Sequence, residues 1–339
     1  MTRVLLTGAG GFVGSHVLEA LLTDTDWEVV AVDSFRHNGA FDRVTEAIHP
    51  GPGPNREWGL RTTVMHHDLT VPFSPRQLGH IGKLDHIIHV ASRCSVTESI
   101  DHPADFVRNN IDSTLTVLEL ARQQWCWQDR DVKLFEHRLL HLSTDEVYGP
   151  TAGVHVTTDH RPSSPYAASK AAQEDLVHAW VRTYGFPATI YNSANMFGER
   201  QSLLAFVPKV VGAVLNGQTL PIHTWHGEPG KRRYTYVRNT AQHIVRYLQA
   251  EDRRGWTHRV SRQALPGQHE IDNLALADQV AGLIGRPLRY ELVEGLAVRP
   301  GYDAGYAPLG GNGGWASVPF DEGLERTVKW YVDHPEWLK

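Results

Sequence analysis

The chain is predicted to be an α/β protein: a doubly wound parallel sheet carrying a smaller C-terminal lobe. Three observations predict this. Apolar, β-branched runs alternate with helically spaced stretches through the first half of the 339 residues. A glycine-rich turn, Thr7-Gly8-Ala9-Gly10-Gly11-Phe12-Val13-Gly14, follows the first apolar run and opens the first helical stretch. Beyond Asn192 the alternation fades into irregular sequence.

Taken in order, Arg3–Thr7 is a short apolar strand and 14–22 the helix behind it. Glu28–Asp33, 61–66 and 85–91 follow as strands. Residues 105–124 carry Phe106, Ile111, Leu115, Leu118 and Leu120 on one helical side. Residues 138–143 form a strand, Pro165–Tyr184 a helix and 188–192 a strand. Strands joined through helices pair in parallel, because each crossover returns the chain to the same end of the sheet. The proline- and glycine-rich 49–59 is predicted as a surface loop. Later helices are predicted at 208–216, 239–249, 274–284 and 320–332, with a glycine-rich loop at 302–315. The irregular part is expected to form a small lobe on the carboxyl edge of the sheet, where open α/β sheets bind ligands.

Lys and Arg number 33 against 38 Asp and Glu, a formal charge of −5 spread without single-sign runs. That balance asks for neither nucleic acid nor a membrane surface. No apolar stretch approaches the ~18 residues of a spanning helix. The chain opens on its first strand, so no leader is expected. Its cysteines, Cys94 and Cys126, suit a reducing cytoplasm better than a disulfide framework. The 20 histidines include two pairs spaced by three, His86/His89 and His223/His226. On a strand that spacing points side chains to opposite faces, so no metal site is expected.

The glycine turn suits a dinucleotide. Its glycines permit a tight turn, close approach of backbone to pyrophosphate and close packing of helix on strand. The helix N-terminus adds unpaired N–H groups and a positive dipole end. The sheet is therefore expected to be Rossmann-like. Asp33, ending the second strand, is placed to accept from adenosine ribose hydroxyls and to repel a 2′-phosphate, which predicts NAD. Nearby Arg36 argues the other way, and a plain strand-end turn is the alternative for Asp33. Asp68, after the third strand, faces the adenine or is a solvated loop acid.

Two further segments carry chemistry. In Ser164-Pro165-Tyr166-Ala167-Ala168-Ser169-Lys170, Tyr166 and Lys170 are four apart on a predicted helix and share a face. An ammonium beside a phenol stabilises the phenolate, making Tyr166 a usable base. Ser143-Thr144-Asp145-Glu146-Val147-Tyr148-Gly149 follows the fifth strand at its carboxyl end. Thr144 offers a hydroxyl, and Asp145 and Glu146 offer adjacent carboxyls whose environments can separate their pKa values. The alternative is a helix N-cap followed by favourable acids.

On these motifs the chain resembles the extended short-chain dehydrogenase/reductases that act on nucleotide sugars. It is most similar to the 4,6-dehydratases among them, in particular the dTDP-glucose group. The resemblance spans essentially the whole chain. It runs through 7–16, the Ser143–Gly149 run and Ser163-Ser164-Pro165-Tyr166-Ala167-Ala168-Ser169-Lys170-Ala171. It continues through Asn195-Met196-Phe197-Gly198, residues 232–237 and Arg299-Pro300-Gly301-Tyr302-Asp303.

The resemblance implies an NAD-binding domain over 1–194, rejoined by parts of 235–265, and a substrate lobe mainly over 195–339. It implies oxidation at sugar C4, loss of water across C5 and C6, and return of hydride to C6. Tyr166 would be the oxidising base and Lys170 its partner and a ligand of the nicotinamide ribose. Thr144 would bond the oxygen at C4, Asp145 would be the acid and Glu146 the base. The cofactor would lie along Gly8, Gly11, Phe12, Val13 and Gly14, with Asp33, Asp68, Leu69, Ala91 and Asn110. The nucleotide-diphosphate sugar would meet Ser95, Asn195, Arg232, Arg299 and Tyr302. A homodimer built through helices 105–124 and 165–184 is implied as well.

One loop departs from the pattern. The dTDP-glucose group carries Glu-Ser-His-Val-Asp-Arg where this chain has Arg93-Cys94-Ser95-Val96-Thr97-Glu98. Arg93 is therefore expected to add a cation beside the sugar, favouring a carboxylated or otherwise altered sugar or a changed pose. Residues 195–201 also depart from the usual Tyr-Gly-Pro form. An epimerase, or a dehydratase of another nucleotide sugar, is the nearest alternative. A catalytically idle NAD-binding regulator is disfavoured by the joint presence of Tyr166, Lys170, Thr144, Asp145 and Glu146.

Overall fold

Three successive apolar side chains, Val4, Leu5 and Leu6, make Arg3–Thr7 a strand buried on both faces, the usual state of a parallel sheet's interior. This strand is β1. The computed structural model describes residues 1–37, 39–49, 56–125, 137–150, 159–250, 260–295, 305 and 316–338. After β1 come α1 (Phe12–Asp24), β2 (Glu28–Asp33), α2 (Phe41–Ile48), α3 (Arg56–Arg61) and β3 (Thr62–His66). Then follow α4 (Pro75–Ile81), β4 (His86–His89), α5 (Val96–Asp101), α6 (Pro103–Trp125), β5 (Arg138–Thr144), α7 (Pro165–Tyr184) and β6 (Ala188–Ser193). The remainder runs β7 (Asn195–Phe197), α8 (Phe206–Asn216), β8 (Thr219–Trp225), β9 (Glu228–Pro229), β10 (Lys231–Tyr236) and α9 (Val237–Gln249). It ends with β11 (Val260–Leu265), β12 (His269–Asp272), α10 (Asn273–Ile284), β13 (Arg289–Glu294) and α11 (Phe320–Asp333).

The main sheet has seven strands in the order β11-β6-β5-β4-β1-β2-β3. β1 pairs in parallel with β2 and β4, β2 with β3, and β4 with β5. The chain winds one way through β2 and β3 and the other way through β4 and β5, so the order reverses at β1. That is the switch point where doubly wound sheets place a ligand.

Two compact units divide the chain. The first comprises Met1–Ser143, Ala168–Asn192 and Ala241–Gln263 and holds the main sheet. Its core joins Leu5, Val30, Ile87, Leu139 and Ile190 from the strands to Val117, Leu118 and Trp125 from α6. Within it α6 and α7 touch: Trp180 Nε1 donates to Glu119 Oε1 at 2.9 Å, and the Arg122 guanidinium lies 5.4 Å from the Tyr184 ring centroid. The second unit comprises Thr144–Ala167, Ser193–Thr240 and Ala264–Lys339. It has two three-stranded sheets, β12-β10-β7 and β13-β8-β9. Its core gathers Val210 and Val211 of α8, Tyr236 of β10, Leu276 and Val280 of α10 and Tyr331 of α11.

The long elements match their expected spans within a few residues. Part of the expected 49–59 loop is helical, since α3 begins at Arg56. The short helices α2, α4 and α5 were not expected, because six to eight residues give a helical period too few repeats to show. A local signal does exist at α4: Ser74 and Gln77 form a capping box ahead of Pro75. The strands from β7 onward, two to seven residues long, were missed by the sequence pattern. Cys126 and most of the 302–315 loop lie outside the described residues. No helix among the described residues is long and apolar enough to cross a membrane.

Candidate active site

The glycine turn is set by steric limits. Gly8 has φ +74°, and a Cβ there would lie 2.7 Å from Ala91 N. A Cβ on Gly14 would lie 1.9 Å from Gly8 O. Backbone therefore approaches backbone more closely than any side chain permits. α1 starts after Gly11 with no side-chain cap, leaving the first-turn N–H groups of Phe12 and Val13 aimed out of the helix end. Asp33 ties β2 to this turn: its Oδ2 accepts from Gly10 N at 2.8 Å and its Oδ1 from Phe35 N at 2.7 Å. Burial pushes its carboxyl up, while the Phe35 and Gly10 N–H groups and the Arg43 charge pull it down. A carboxylate holding two backbone donors still has lone pairs for ribose hydroxyls. The uncapped helix end and the bare glycine cradle fit a dinucleotide.

The other residues expected on the cofactor differ in what they leave available. Asp68 Oδ2 accepts from Arg36 Nη1 at 2.8 Å, and its Oδ1 accepts from both the N–H and the hydroxyl of Thr70. Arg36, the residue that argued for a 2′-phosphate, is thus engaged by an acid. Leu69 is buried in the first core and offers a ligand only its backbone. Asn110 Nδ2 donates to Ser169 Oγ at 2.8 Å and Arg93 O at 3.1 Å, and its Oδ1 accepts from Arg93 N at 2.8 Å. Both amide hydrogens are spent, so Asn110 is a strut between the segment after β4 and α7.

Lys170, also in the first unit, is buried on α7, and its Nζ donates to Leu142 O at 2.6 Å. Burial pulls its ammonium down to about 8, against the opposing charges of Glu174 and then Cys94. The buried imidazoles of β4 and β5 stay neutral beside it. Burial drops His89 to about 3 and takes His141 well down, and the Lys170 charge adds to both. His89 is satisfied without a metal, by Thr7 Oγ1 at 2.8 Å and Thr114 Oγ1 at 3.0 Å.

Tyr166 is the second residue of α7, one helical turn before Lys170. Ser164 Oγ accepts from Ala167 N at 3.1 Å, and Pro165 opens the helix, a favourable start that sets the phase of its tyrosine.

In the second unit, the last residue of β5 leads into a 3₁₀ turn, Asp145–Tyr148. Thr144 caps it: Oγ1 accepts from Glu146 N at 3.3 Å and donates to Asp145 Oδ1 at 3.3 Å. The bland N-cap reading is therefore true, and it is also what holds the two acids in place. Asp145 is 5% exposed while Glu146 is half-buried. Burial, reinforced by Glu146, pushes the Asp145 carboxyl up to about 7, with Thr144 and Arg232 pulling the other way. Near neutral pH this carboxyl is poised to give or take a proton.

Arg232 lies on β10 and Asn195 on β7, adjacent strands of one sheet. Glu199, in the divergent segment, accepts from Tyr236 OH at 2.6 Å and pairs with Arg238 at 3.2 Å, an arrangement internal to the second unit. Ser95 serves as the cap of α5, its Oγ accepting from Glu98 N at 3.2 Å. Arg299 and Tyr302 lie outside the described residues. Arg93 corrects an expectation. Its guanidinium pairs with Glu98 and stacks 4.9 Å from the Phe106 ring centroid, with only 10% of the side chain exposed. It is a neutralised loop clasp, with the two charges of the resembled group exchanged end for end. One relevant residue escaped the sequence reading. Glu174 stands four beyond Lys170, and that spacing was the available signal.

Residues 4–259 match the NAD dependent epimerase/dehydratase family, and the chain belongs to it. The dTDP-glucose 4,6-dehydratase 1 of Escherichia coli K12 is 30% identical over 359 residues, covering 99% of this chain and 94% of that protein. The dTDP-glucose 4,6-dehydratase of Neisseria gonorrhoeae is 31% identical over 351 residues, covering 98% and 96%. Among solved structures, the dTDP-glucose 4,6-dehydratase DesIV of Streptomyces venezuelae, with NAD bound, superposes with TM-score 0.81 at 28% identity over 100% of both chains. The UDP-glucose 4-epimerase of Thermus thermophilus shares the fold at TM-score 0.78 and 24% identity, covering 98% of this chain and 99% of that one.

Proposed function

We propose that this chain is an NAD-dependent dTDP-glucose 4,6-dehydratase that yields dTDP-4-keto-6-deoxyglucose. The observation that carries the reading is Asp145, a buried carboxyl pushed up to about 7 beside the more exposed Glu146. Elimination next to a ketone needs a base at one carbon and an acid at the next, and two adjacent carboxyls in unlike surroundings supply both. The relatives' names support the same reaction and substrate.

The glycine cradle, Asp33 and Lys170 would hold the cofactor. When bound, NAD would supply the hydride acceptor for C4 and the hydride donor for C6. Tyr166 takes the proton of the 4-hydroxyl, and Lys170 lowers the phenol's pKa by its charge. Thr144 hydrogen-bonds the C4 oxygen. Glu146 removes the C5 proton, made acidic by the ketone, and Asp145 protonates the departing 6-hydroxyl. Arg232 and Asn195 bind the nucleotide diphosphate, a task suited to a forked guanidinium, with Arg299 and Tyr302 assigned there by resemblance. The working form is a cytoplasmic homodimer joined through α6 and α7, and sedimentation at monomer mass would remove that assignment.

Incubation with dTDP-glucose followed by mass spectrometry tests the reading. A product lighter by one water is expected. A sugar isomer of unchanged mass would replace dehydration with epimerisation.

A further inference from the structure

Glu174 plays no part in the reaction as described, yet it is fully buried on α7, one turn beyond Lys170. Its Oε1 accepts from Ser143 Oγ and from Asn192 Nδ2 at 2.7 Å, and its Oε2 pairs with Arg262. Arg262 also donates to Asn192 Oδ1 at 3.2 Å, and its Nη2 lies 3.2 Å from His178 Nε2. β5, β6 and β11 each contribute a donor to this one carboxylate. A buried carboxylate is costly unless it is paired and hydrogen-bonded, and this one is both. Lys170 is gripped by the residue before Ser143, through Leu142 O. Consecutive residues of β5 thus hold an ammonium and a carboxylate one helical turn apart.

We propose that Glu174 is a positioning residue for the reaction: clamped by Ser143, Asn192 and Arg262, it is the buried counter-charge that keeps Lys170 an ammonium. The inference rests on the reading of Lys170 as the partner of Tyr166. A buried amine tends to shed its proton, and a neutral amine no longer stabilises a phenolate. Among the described residues of the first unit, the titratable groups that act on Lys170 are His89 from β4, His141 from β5, Cys94 ahead of α5, and Glu174 from its own helix. The histidines are neutral, and Glu174 is the larger of the two influences that hold the proton on. Arg262 shares the carboxylate's charge. Its side chain is 31% exposed against 0% for Glu174, so solvent screens the outer cation more than the inner anion.

The test uses the full-length, NAD-loaded protein labelled with ¹³C-lysine. The Lys170 signal is assigned by its loss in Lys170→Arg. In Glu174→Gln the Lys170 titration should move down by about one pH unit. Glu174→Asp keeps the charge and should recover at least about half of that shift. Arg262→Gln frees the carboxylate's charge for Lys170 and should move the titration up. A merely structural role cannot give opposite signs. An unmoved signal in Glu174→Gln, or a downward shift in Arg262→Gln, overturns the proposal. Should Glu174→Gln fail to fold, Arg262→Gln decides alone. The alkaline limb of kcat is read in parallel. If Lys170 shifts and that limb stays, the counter-charge stands and the pairing of Lys170 with Tyr166 falls.

Discussion

Lys170 in the first unit and Asp145 in the second are both buried ionisable groups, and burial drives both toward neutrality. Their neighbours then act in opposite senses. Glu174 opposes the drift of Lys170, so an ammonium survives to about 8. Glu146 reinforces the drift of Asp145, so a protonated acid survives to about 7. The same desolvation thus produces a retained cation in one place and a proton donor in the other. A carboxylate is the neighbour in both places, and what separates them is the charge of the buried group itself: the anion beside Lys170 is opposite to it, the anion beside Asp145 is like it.

The largest expected effect falls on the acid pair. Glu146→Gln should lower kcat by roughly 10²- to 10⁴-fold with KM little changed, the range of a lost general base. Steady-state kinetics on dTDP-glucose would show it, and full activity would remove Glu146 from the mechanism.

Stability tests the comparison itself. Asp145 has a folded pKa raised from 3.8 to about 7, so its advantage to the fold is present below 3.8 and is lost as pH rises through 7. Asp145→Asn should therefore gain about 1–3 kcal/mol in urea melts near pH ~8, and almost nothing near pH ~4. Lys170 has a folded pKa depressed from 10.5 to about 8, so its advantage lies above 10.5 and is lost as pH falls through 8. Lys170→Met should gain about 1–2 kcal/mol near pH ~6, fading toward pH ~10. Gains with the same pH sign in both variants would break the contrast.

The smallest effect concerns the Arg93 clasp. Arg93→Glu should cost about 1 kcal/mol by setting like charges together, and Arg93→Glu with Glu98→Arg should restore most of it. Glu98 is a third exposed, so solvent limits the size. A KM for dTDP-glucose that follows Arg93 alone, unrescued by the double change, would return Arg93 to the substrate.

The legible parts of this protein were those dictated over a few residues. The Gly8–Gly14 turn follows from steric limits that exclude any Cβ, and β1, β2 and β5 announce themselves as apolar runs. Thr144-Asp145-Glu146 and the Tyr166/Lys170 spacing could be read for the same reason: their members lie on one turn of chain. What those members meet is another matter. Arg93 looked like an added charge, and folding stacked it on Phe106 and closed it on Glu98. Asn110 could be placed by resemblance, and folding engages its amide on Arg93 and Ser169. Glu174 gave no alarm, although it finds Arg262 across 88 residues of sequence. The sequence by itself determined the strand–turn–helix order and the chemical types at the site, because these are local. Only the tertiary structure decided which charges are buried and what faces them, because desolvation and Coulomb energy depend on neighbours that the chain brings from far away.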